Sequence, residues 1–371
     1  MNYLCAVKLT LKIKLLPNKE QEKSLLKTIE EFNTVCNEIS NIAWDNKTFN
    51  TYKLHHLCYH KIKSSFKLSA QLVVRAIAKV SDSYKLDKKV KREFRLKGAV
   101  TYDSRIMTYL KDIISLSTIN GRIKVPFVCH RPDWLPYIKG EADLICRKGK
   151  YFLLQTVEFP EEKIKDFEEF IGVDFGRKDI AVTSEGKIYS SEKLNKTRNI
   201  FFKVRKSVQT KADNSKRSTK RNCHRVIKRL SGREQRFATN INHTISKQIV
   251  QDAKLLNKGI AIEDLSGIRE SATVRKKQKR EHHSWAFFQL RQFLTYKSLM
   301  NGIPLVVVQP QYTSKTCNNC KRIGNRQGKD FKCKNCGYTN DADKNASLNI
   351  SQLGNAVIVP EKSAMFCSLH S

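Results

Sequence analysis

The chain has 371 residues, enough for two or three domains with a real hydrophobic core, and its 70 Lys and Arg against 35 Asp and Glu leave a net charge of +35. A surplus this large repels itself in a compact state unless a polyanion neutralises it, so nucleic acid is the expected partner, held by salt-sensitive counterion release. No apolar run is long enough for a membrane span, and the odd number of cysteines, 11, argues against a disulfide framework and for a reducing compartment.

The N-terminal stretch is broken by Lys8, Lys12 and Lys14, so it does not read as a signal peptide, and a soluble intracellular protein is expected. Val7, Leu9, Leu11, Ile13 and Leu15 alternate with mostly basic residues, the pattern of a half-exposed strand that ends at Pro17. Asn18 suits the N-cap of a helix running to about Ile42, with Gln21 as its reciprocal partner. Leu25, Leu26, Ile29, Phe32, Val35, Cys36 and Ile39 give this helix an apolar stripe. A second helical region runs from about Thr51 to Leu86, with Val73, Val74, Ile77, Ala78 and Val80 on its buried side. From Phe94 to Pro160 short strands follow, over 99–103, 113–119, 122–127, 141–147 and 151–157, with turns at Asn120-Gly121 and Lys148-Gly149-Lys150. An antiparallel sheet or small barrel with the helical block inserted after its first strand fits this order.

A new pattern begins at Phe170. The strand Ile171–Gly176 carries one acid, Asp174, and two further short strands make a meander with it. Residues 203–236 hold 13 Lys or Arg and 2 acids, consistent with a helix whose basic face tracks phosphates. Arg217, Lys220, Arg221, Arg225, Lys228 and Arg229 are the candidate nucleic-acid contacts. An amphipathic helix over 237–256 is stopped at Gly259, and the buried strand Ile260–Ile262 ends in Glu263. A polar, basic loop is expected over 269–283, then a helix over 285–300 and a strand over 303–308.

Cys317, Cys320, Cys333 and Cys336 form CxxC–x12–CxxC, which suits one tetrahedral zinc ion with four thiolates in a small ribbon. Four cysteine ligands leave no open position, so this metal reads as structural. Asp341 and Asp343 follow, at the start of a helix-like segment through Leu353. Singly, each acid has an ordinary explanation: Asp174 as a turn residue, Glu263 as the start of a helix, Asp341 and Asp343 as caps. Jointly, Asp174, Glu263 and Asp343 can converge at one sheet edge, where repelling carboxylates call for divalent cations. Two magnesium ions there, about 3.5–4 Å apart, would clamp the attacking and leaving oxygens of a phosphodiester, the logic of an RNase H-like nuclease.

The chain resembles the TnpB family, the OrfB-type proteins of bacterial insertion sequences, which are related to compact type V CRISPR effectors. The residues that carry the resemblance are GVDFG at 172–176, NHTISKQIV at 242–250, AIEDLSGI at 261–268 and SWAFFQLRQFLTYK at 284–297. To these add QYTSKTCNNC at 311–320, CKNCGYTNDADKNASLNI at 333–350 and the opening LPNKEQ at 16–21. It covers nearly the whole chain and is weakest over 45–165. One departure is Gln309 before Pro310, where the family often has an acid.

The resemblance implies an α/β multidomain protein: an RNase H-like (RuvC) nuclease core over 166–312 and 341–353, interrupted by a zinc ribbon over 313–340 that loads target DNA. An N-terminal antiparallel β wedge, oligonucleotide-binding-like, would span 1–16 and 92–165, with a helical recognition insertion over 17–91 and a tail over 354–371. It implies a transposon-encoded, RNA-guided DNA endonuclease, cytoplasmic and nucleoid-associated in a prokaryotic host. Asp174, Glu263 and Asp343 would be its Mg2+ or Mn2+ ligands, Asp343 matching the DxN position with Asn345. Zn2+ would be structural. The partners would be a guide RNA from the transposon end, whose pairing supplies specificity, and double-stranded target DNA. The competing functions are an RNA-guided repressor that binds without cutting, which loss of one acid would favour, and a DNA transposase or accessory protein of an insertion sequence. A simple zinc-ribbon DNA binder would leave most of the chain unexplained.

Overall fold

The computed structural model describes residues 7–160, 167–176, 178–264, 287–309 and 311–358. The basic stretch 269–283, the last residues of the tail, Cys5 and Cys367 lie outside them. The chain divides into two compact units, one over Ala6–Phe159 and the other from Pro160 onward.

In the N-terminal unit, β1 (Val7–Leu15) buries Val7, Leu11, Ile13 and Leu15 and exposes its lysines, as the alternation requires. Helix α1 (Lys19–Asp45) begins with the expected capping box: Asn18 Oδ1 accepts from Gln21 N at 2.8 Å and Gln21 Oε1 accepts from Asn18 N at 3.1 Å. The second helical region is two helices, α2 (Thr51–Ser65) and α3 (Ala70–Leu86). The chain turns extended at Phe66, and Leu68 is buried in the short break. Helix α3 packs against both α1 and α2. Six further strands complete a seven-stranded sheet: β2 (Val100–Tyr102), β3 (Met107–Leu110), β4 (Ile113–Thr118), β5 (Gly121–Cys129), β6 (Ile138–Arg147) and β7 (Lys150–Phe159). Its order is β2-β6-β7-β1-β5-β4-β3, antiparallel throughout, with β1 between β7 and β5. Strand β3 was not expected: at four residues it is too short to stand out from the Asp103–Ile106 turn.

The C-terminal unit is built on a five-stranded sheet of order β10-β9-β8-β11-β12. Strands β8 (Phe170–Asp174), β9 (Asp179–Thr183) and β10 (Ile188–Ser190) form the antiparallel meander, whereas β11 (Gly259–Glu263) runs parallel to β8 and to β12 (Leu305–Val308). Between β10 and β11 lie α4 (Glu192–Asp213), α5 (Arg217–Leu230) and α6 (Arg233–Leu256). Helix α6 ends at Leu256, three residues before Gly259, because Asn257 takes the left-handed conformation at φ 53° and its N–H caps the last turn. Gly259 serves the strand instead: a Cβ there would collide with the Phe170 ring.

One face of this sheet, with Ile171, Val173, Ile260 and Ile262, packs against α6 and α7 (Phe287–Leu299) through Ile245, Ile249, Leu290 and Leu294. The other face, with Phe170, Ala261 and Val308, receives α8 (Ala342–Ile358) through Ile350. A three-stranded antiparallel ribbon of β13 (Asn325–Gln327), β14 (Asp330–Lys332) and β15 (Thr339–Asp341) stands between β12 and α8 in the chain. Among the described residues, no helix is long and apolar enough to cross a membrane.

Helix α8 comes unusually close to β8. A Cβ at Gly172 would overlap the Ser347 carbonyl oxygen and the Ser351 amide nitrogen, and one at Gly354 would lie 2.7 Å from the Ala261 Cβ. Asn355 Oδ1 accepts from Phe170 N at 2.9 Å, and Ser351 Oγ donates to Phe170 O at 2.5 Å. Because backbone cannot rotate away as a side chain can, Gly172→Ala should destabilise the C-terminal unit by about 3 kcal/mol or more, the upper range for overpacking. Denaturant unfolding monitored by the fluorescence of an introduced reporter in α8 checks this; a loss below about 1 kcal/mol would mean the helix yields easily.

Candidate functional site

Asp174 and Glu263 are the last residues of β8 and β11. The parallel register pairs Val173 with Ile262, so each acid stands one residue beyond a paired position on neighbouring strands. Alternation puts both on the face that carries Phe170, Gly172 and Ala261, the face covered by α8. Asp343 lies in the first turn of α8. The N-cap role goes to Asp341, whose Oδ1 accepts from Asp343 N at 2.9 Å and from Lys344 N at 3.1 Å, so Asp343 keeps its side chain for the site.

All three carboxyl groups are buried, at 8%, 7% and 7% exposure for Asp174, Glu263 and Asp343. Burial pushes the Asp174 carboxyl well above the usual carboxylate range, and the neighbouring Glu263 and Asp343 push it further. Glu263 is also raised by burial, against the pull of a hydrogen bond from Thr313 and of the Arg326 charge. Arg326 comes from the ribbon strand β13 and places Nη2 2.7 Å from Asp343 Oδ1. A second ribbon cation, Lys329, pairs with the buried Asp179 at the start of β9. The donor set is all oxygen and anionic, which suits Mg2+ or Mn2+. Glu263 and Asp343 lie near enough to act electrostatically on Asp174, although the three acids do not form a set with ligand atoms all within 4.8 Å of one another, as the ribbon sulfurs do.

The ribbon cysteines do stand at ligating distance. The sulfurs of Cys317, Cys320, Cys333 and Cys336 all lie within 4.8 Å of one another, the only such group of three or more potential ligands among the described residues. The Cys317–Cys336 and Cys320–Cys333 sulfurs are 3.7 and 3.5 Å apart. A tetrahedron with Zn–S bonds of roughly 2.3 Å has edges of about 3.8 Å, so the four atoms, standing in for thiolates, fit zinc. Each CxxC pair closes on a left-handed residue, Lys321 at φ 60° and Gly337 at φ 73°, whose amides bond the Cys317 and Cys333 carbonyls at 3.0 and 3.2 Å. The apolar support is small: Phe331 packs with Cys317, Cys333 and Ala342. A core of that size leaves metal binding to hold the ribbon together.

The six basic candidates Arg217, Lys220, Arg221, Arg225, Lys228 and Arg229 all lie on α5 and are all exposed. They share one half of its circumference, opposite Cys223, Val226, Ile227 and Leu230. The helix has no acid, and none of the six makes an ion pair with the described residues. This face carries uncompensated positive charge.

Sequence reasoning missed Arg326, Lys329 and Thr313. The first two read as ordinary ribbon charges and Thr313 as the start of the ribbon. Their partners lie between 17 and 150 residues away, so no local periodicity reports them.

A model of the Cas12f1-like TNB domain matches residues 287–350, the span from α7 through the ribbon into α8. Over 227 residues the chain is 31% identical to a TnpB-like protein of Methanocaldococcus jannaschii, covering 57% of this chain and 80% of that protein. It is also 31% identical over 226 residues to the CRISPR-associated endodeoxyribonuclease Cas12f1 of Sulfoacidibacillus thermotolerans, covering 55% of this chain but only 50% of that one. The fold is similar to that of Cas12f1 solved as a complex with sgRNA and target DNA, with a TM-score of 0.58 at 14% identity over 93% of this chain and 99% of that one.

Cys333→Ser should remove most of about one equivalent of bound zinc per chain, since three sulfur ligands hold the ion far less well than four. Elemental analysis after dialysis reads this directly, and unchanged zinc content would defeat the assignment. Replacing Arg225, Lys228 and Arg229 with Gln should reduce the slope of log K against log salt for nucleic-acid binding by about 2–3. An unchanged slope in a salt-titrated binding assay would remove α5 as a phosphate-contacting face.

Proposed function

The chain belongs to the TnpB-like family, and from that premise we propose that it is an RNA-guided DNA endonuclease that hydrolyses target-DNA phosphodiesters at Asp174, Glu263 and Asp343 with Mg2+ or Mn2+. The observation that carries this reading is the gathering of three buried carboxylates on one sheet face, close enough for Glu263 and Asp343 to raise Asp174. A strand order of three antiparallel strands followed by two parallel ones supports an RNase H-like, RuvC-type core over 166–312 and 341–353.

Asp174, Glu263 and Asp343 would hold divalent cations, which would supply charge neutralisation to the phosphodiester. The chain supplies their setting. Asp174 and Glu263 are fixed by the strands that end in them, and Asp343 by the close seat of α8 on β8. Arg326 offers a planar guanidinium beside the same acids, suited to a phosphate oxygen. The exposed cationic face of α5 fits the backbone of a guide–target duplex, whose sequence is read by base pairing rather than by protein. The ribbon over 313–340 would bring the target strand to the acids. The N-terminal sheet, 1–16 with 92–165, and its helical insertion, 17–91, would hold the guide and read a short motif beside the target.

The test uses the full chain purified with the RNA of its flanking transposon end, acting on a guide-matched plasmid library with randomised flanking bases. Cutting confined to one flanking motif and dependent on Mg2+ is expected. Asp174→Asn, Glu263→Gln and Asp343→Asn should each lower the rate at least about 100-fold, the equivalent of several kcal/mol of charge stabilisation, while RNA binding is retained. Retained cutting in any of the three removes that residue from the site. Guide-dependent binding without cutting by the unaltered protein would instead favour the repressor.

A further inference from the structure

Glu263 carries its carboxylate on a long, flexible side chain within the acid cluster, and that carboxylate does not choose its own orientation. Thr313, itself buried, donates its hydroxyl to Glu263 Oε1. That bond has a fixed direction only if the Thr313 backbone is fixed, and the backbone is held from α8. Asn349 Nδ2 donates to Thr313 O at 2.8 Å and to Thr316 O at 2.7 Å. Asn345 Nδ2 donates to Thr316 O at 2.8 Å, and Asn345 Oδ1 accepts from Asn318 N at 3.0 Å. Asn345 and Asn349 are 0% and 1% exposed, so these bonds do not compete with solvent. The helix that carries Asp343 thus also sets the segment that aims Glu263, and two acids from distant parts of the chain are indexed to one another.

The geometry points to Thr313 as a positioning residue that sets the orientation in which Glu263 meets a divalent cation, with Asn345 and Asn349 fixing Thr313 from α8. This rests on the reading of the three acids as a cation site. Hydrogen-bonding partners one step removed from a metal orient its ligands, and losing one characteristically weakens metal affinity 10–100-fold. A Thr313 that served only to start the ribbon would act on zinc content and folding, and would leave affinity at the acids alone.

The experiment measures Mn2+ binding to the full-length, zinc-loaded protein without nucleic acid, from the electron paramagnetic resonance signal of free Mn2+. The part of the binding lost in Asp174→Asn is taken as the acid site. Thr313→Val, which keeps the shape and removes the hydroxyl, should weaken that binding about 10–100-fold, and Thr313→Ser, which restores the hydroxyl, should come within about 3-fold of the unaltered protein. Zinc content and unfolding temperature serve as controls, and Thr313→Ala replaces the valine variant if the latter loses zinc. In the cleavage assay the Mg2+ concentration for half-maximal cutting should rise by the same factor. Unchanged Mn2+ affinity in the hydroxyl-free variant overturns the inference. A weakened Mn2+ site in a protein that never cuts would overturn the nuclease reading and leave Thr313 in its role. No Asp174-dependent Mn2+ binding at all would overturn both.

Discussion

Three carboxylates buried in one place set the terms for the C-terminal unit. Removing even one ionised carboxylate from water is costly unless it is paired or neutralised, and each additional like charge adds to that cost. The fold meets it in a different way for each acid. Asp343 takes a guanidinium from the ribbon, and Glu263 takes a hydroxyl from Thr313. Asp174, between them, is driven toward its neutral form. The ion pair of Arg326 with Asp343 thus offsets part of the negative charge buried there.

Bringing the acids that close is a packing problem before it is an electrostatic one. Asp174 and Glu263 converge because β8 and β11 are parallel neighbours, so their carboxyl ends fall at the same edge, where open α/β sheets generally bind their ligands. Asp343 joins them only because α8 lies almost against the backbone of β8. Gly172 and Gly354 make that approach possible, one on the strand and one on the helix. Ser351 and Asn355 then bond the Phe170 backbone and keep the helix from sliding along the strand. The glycine two residues before Asp174 is thus as much a part of the site as the acid, although it carries no chemistry.

The sequence announced whatever depends on near neighbours. The Asn18 and Gln21 capping box, the alternation of β1 and the two CxxC turns are each written within a few residues, and each is found in the structure. Asp174 and Glu263 are conspicuous in the sequence as charges at the ends of apolar strands, and they are the last residues of β8 and β11. What escaped is what depends on distant partners. The break at Phe66 divides a stretch that reads as one helical region, because α2 and α3 on either side of it both pack against α1. The stop of α6 was attributed to Gly259, but Asn257 ends the helix and Gly259 makes room for Phe170, a residue 89 positions earlier whose proximity no local pattern reveals. Arg326 is one of 70 basic residues, and only the folded ribbon singles it out.

The place of the ribbon in the chain then acquires a physical reason. It leaves the sheet after β12 and returns directly into α8, so its two ends are the strand edge near Glu263 and the helix that bears Asp343. Thr313 and Thr316, at its entry, are gripped by Asn345 and Asn349 just past its exit, and the amide of Asn318, inside the first CxxC turn, bonds Asn345. That turn has little apolar support of its own, and the sulfurs of Cys317 and Cys320 are arranged for a metal that would hold it. Zinc bound there would therefore do more than fold a small appendage. It would fix the turn that Asn345 reads, and through Thr313 the carboxylate of Glu263, so a structural metal and the proposed catalytic one would be connected through four side chains and a short length of backbone.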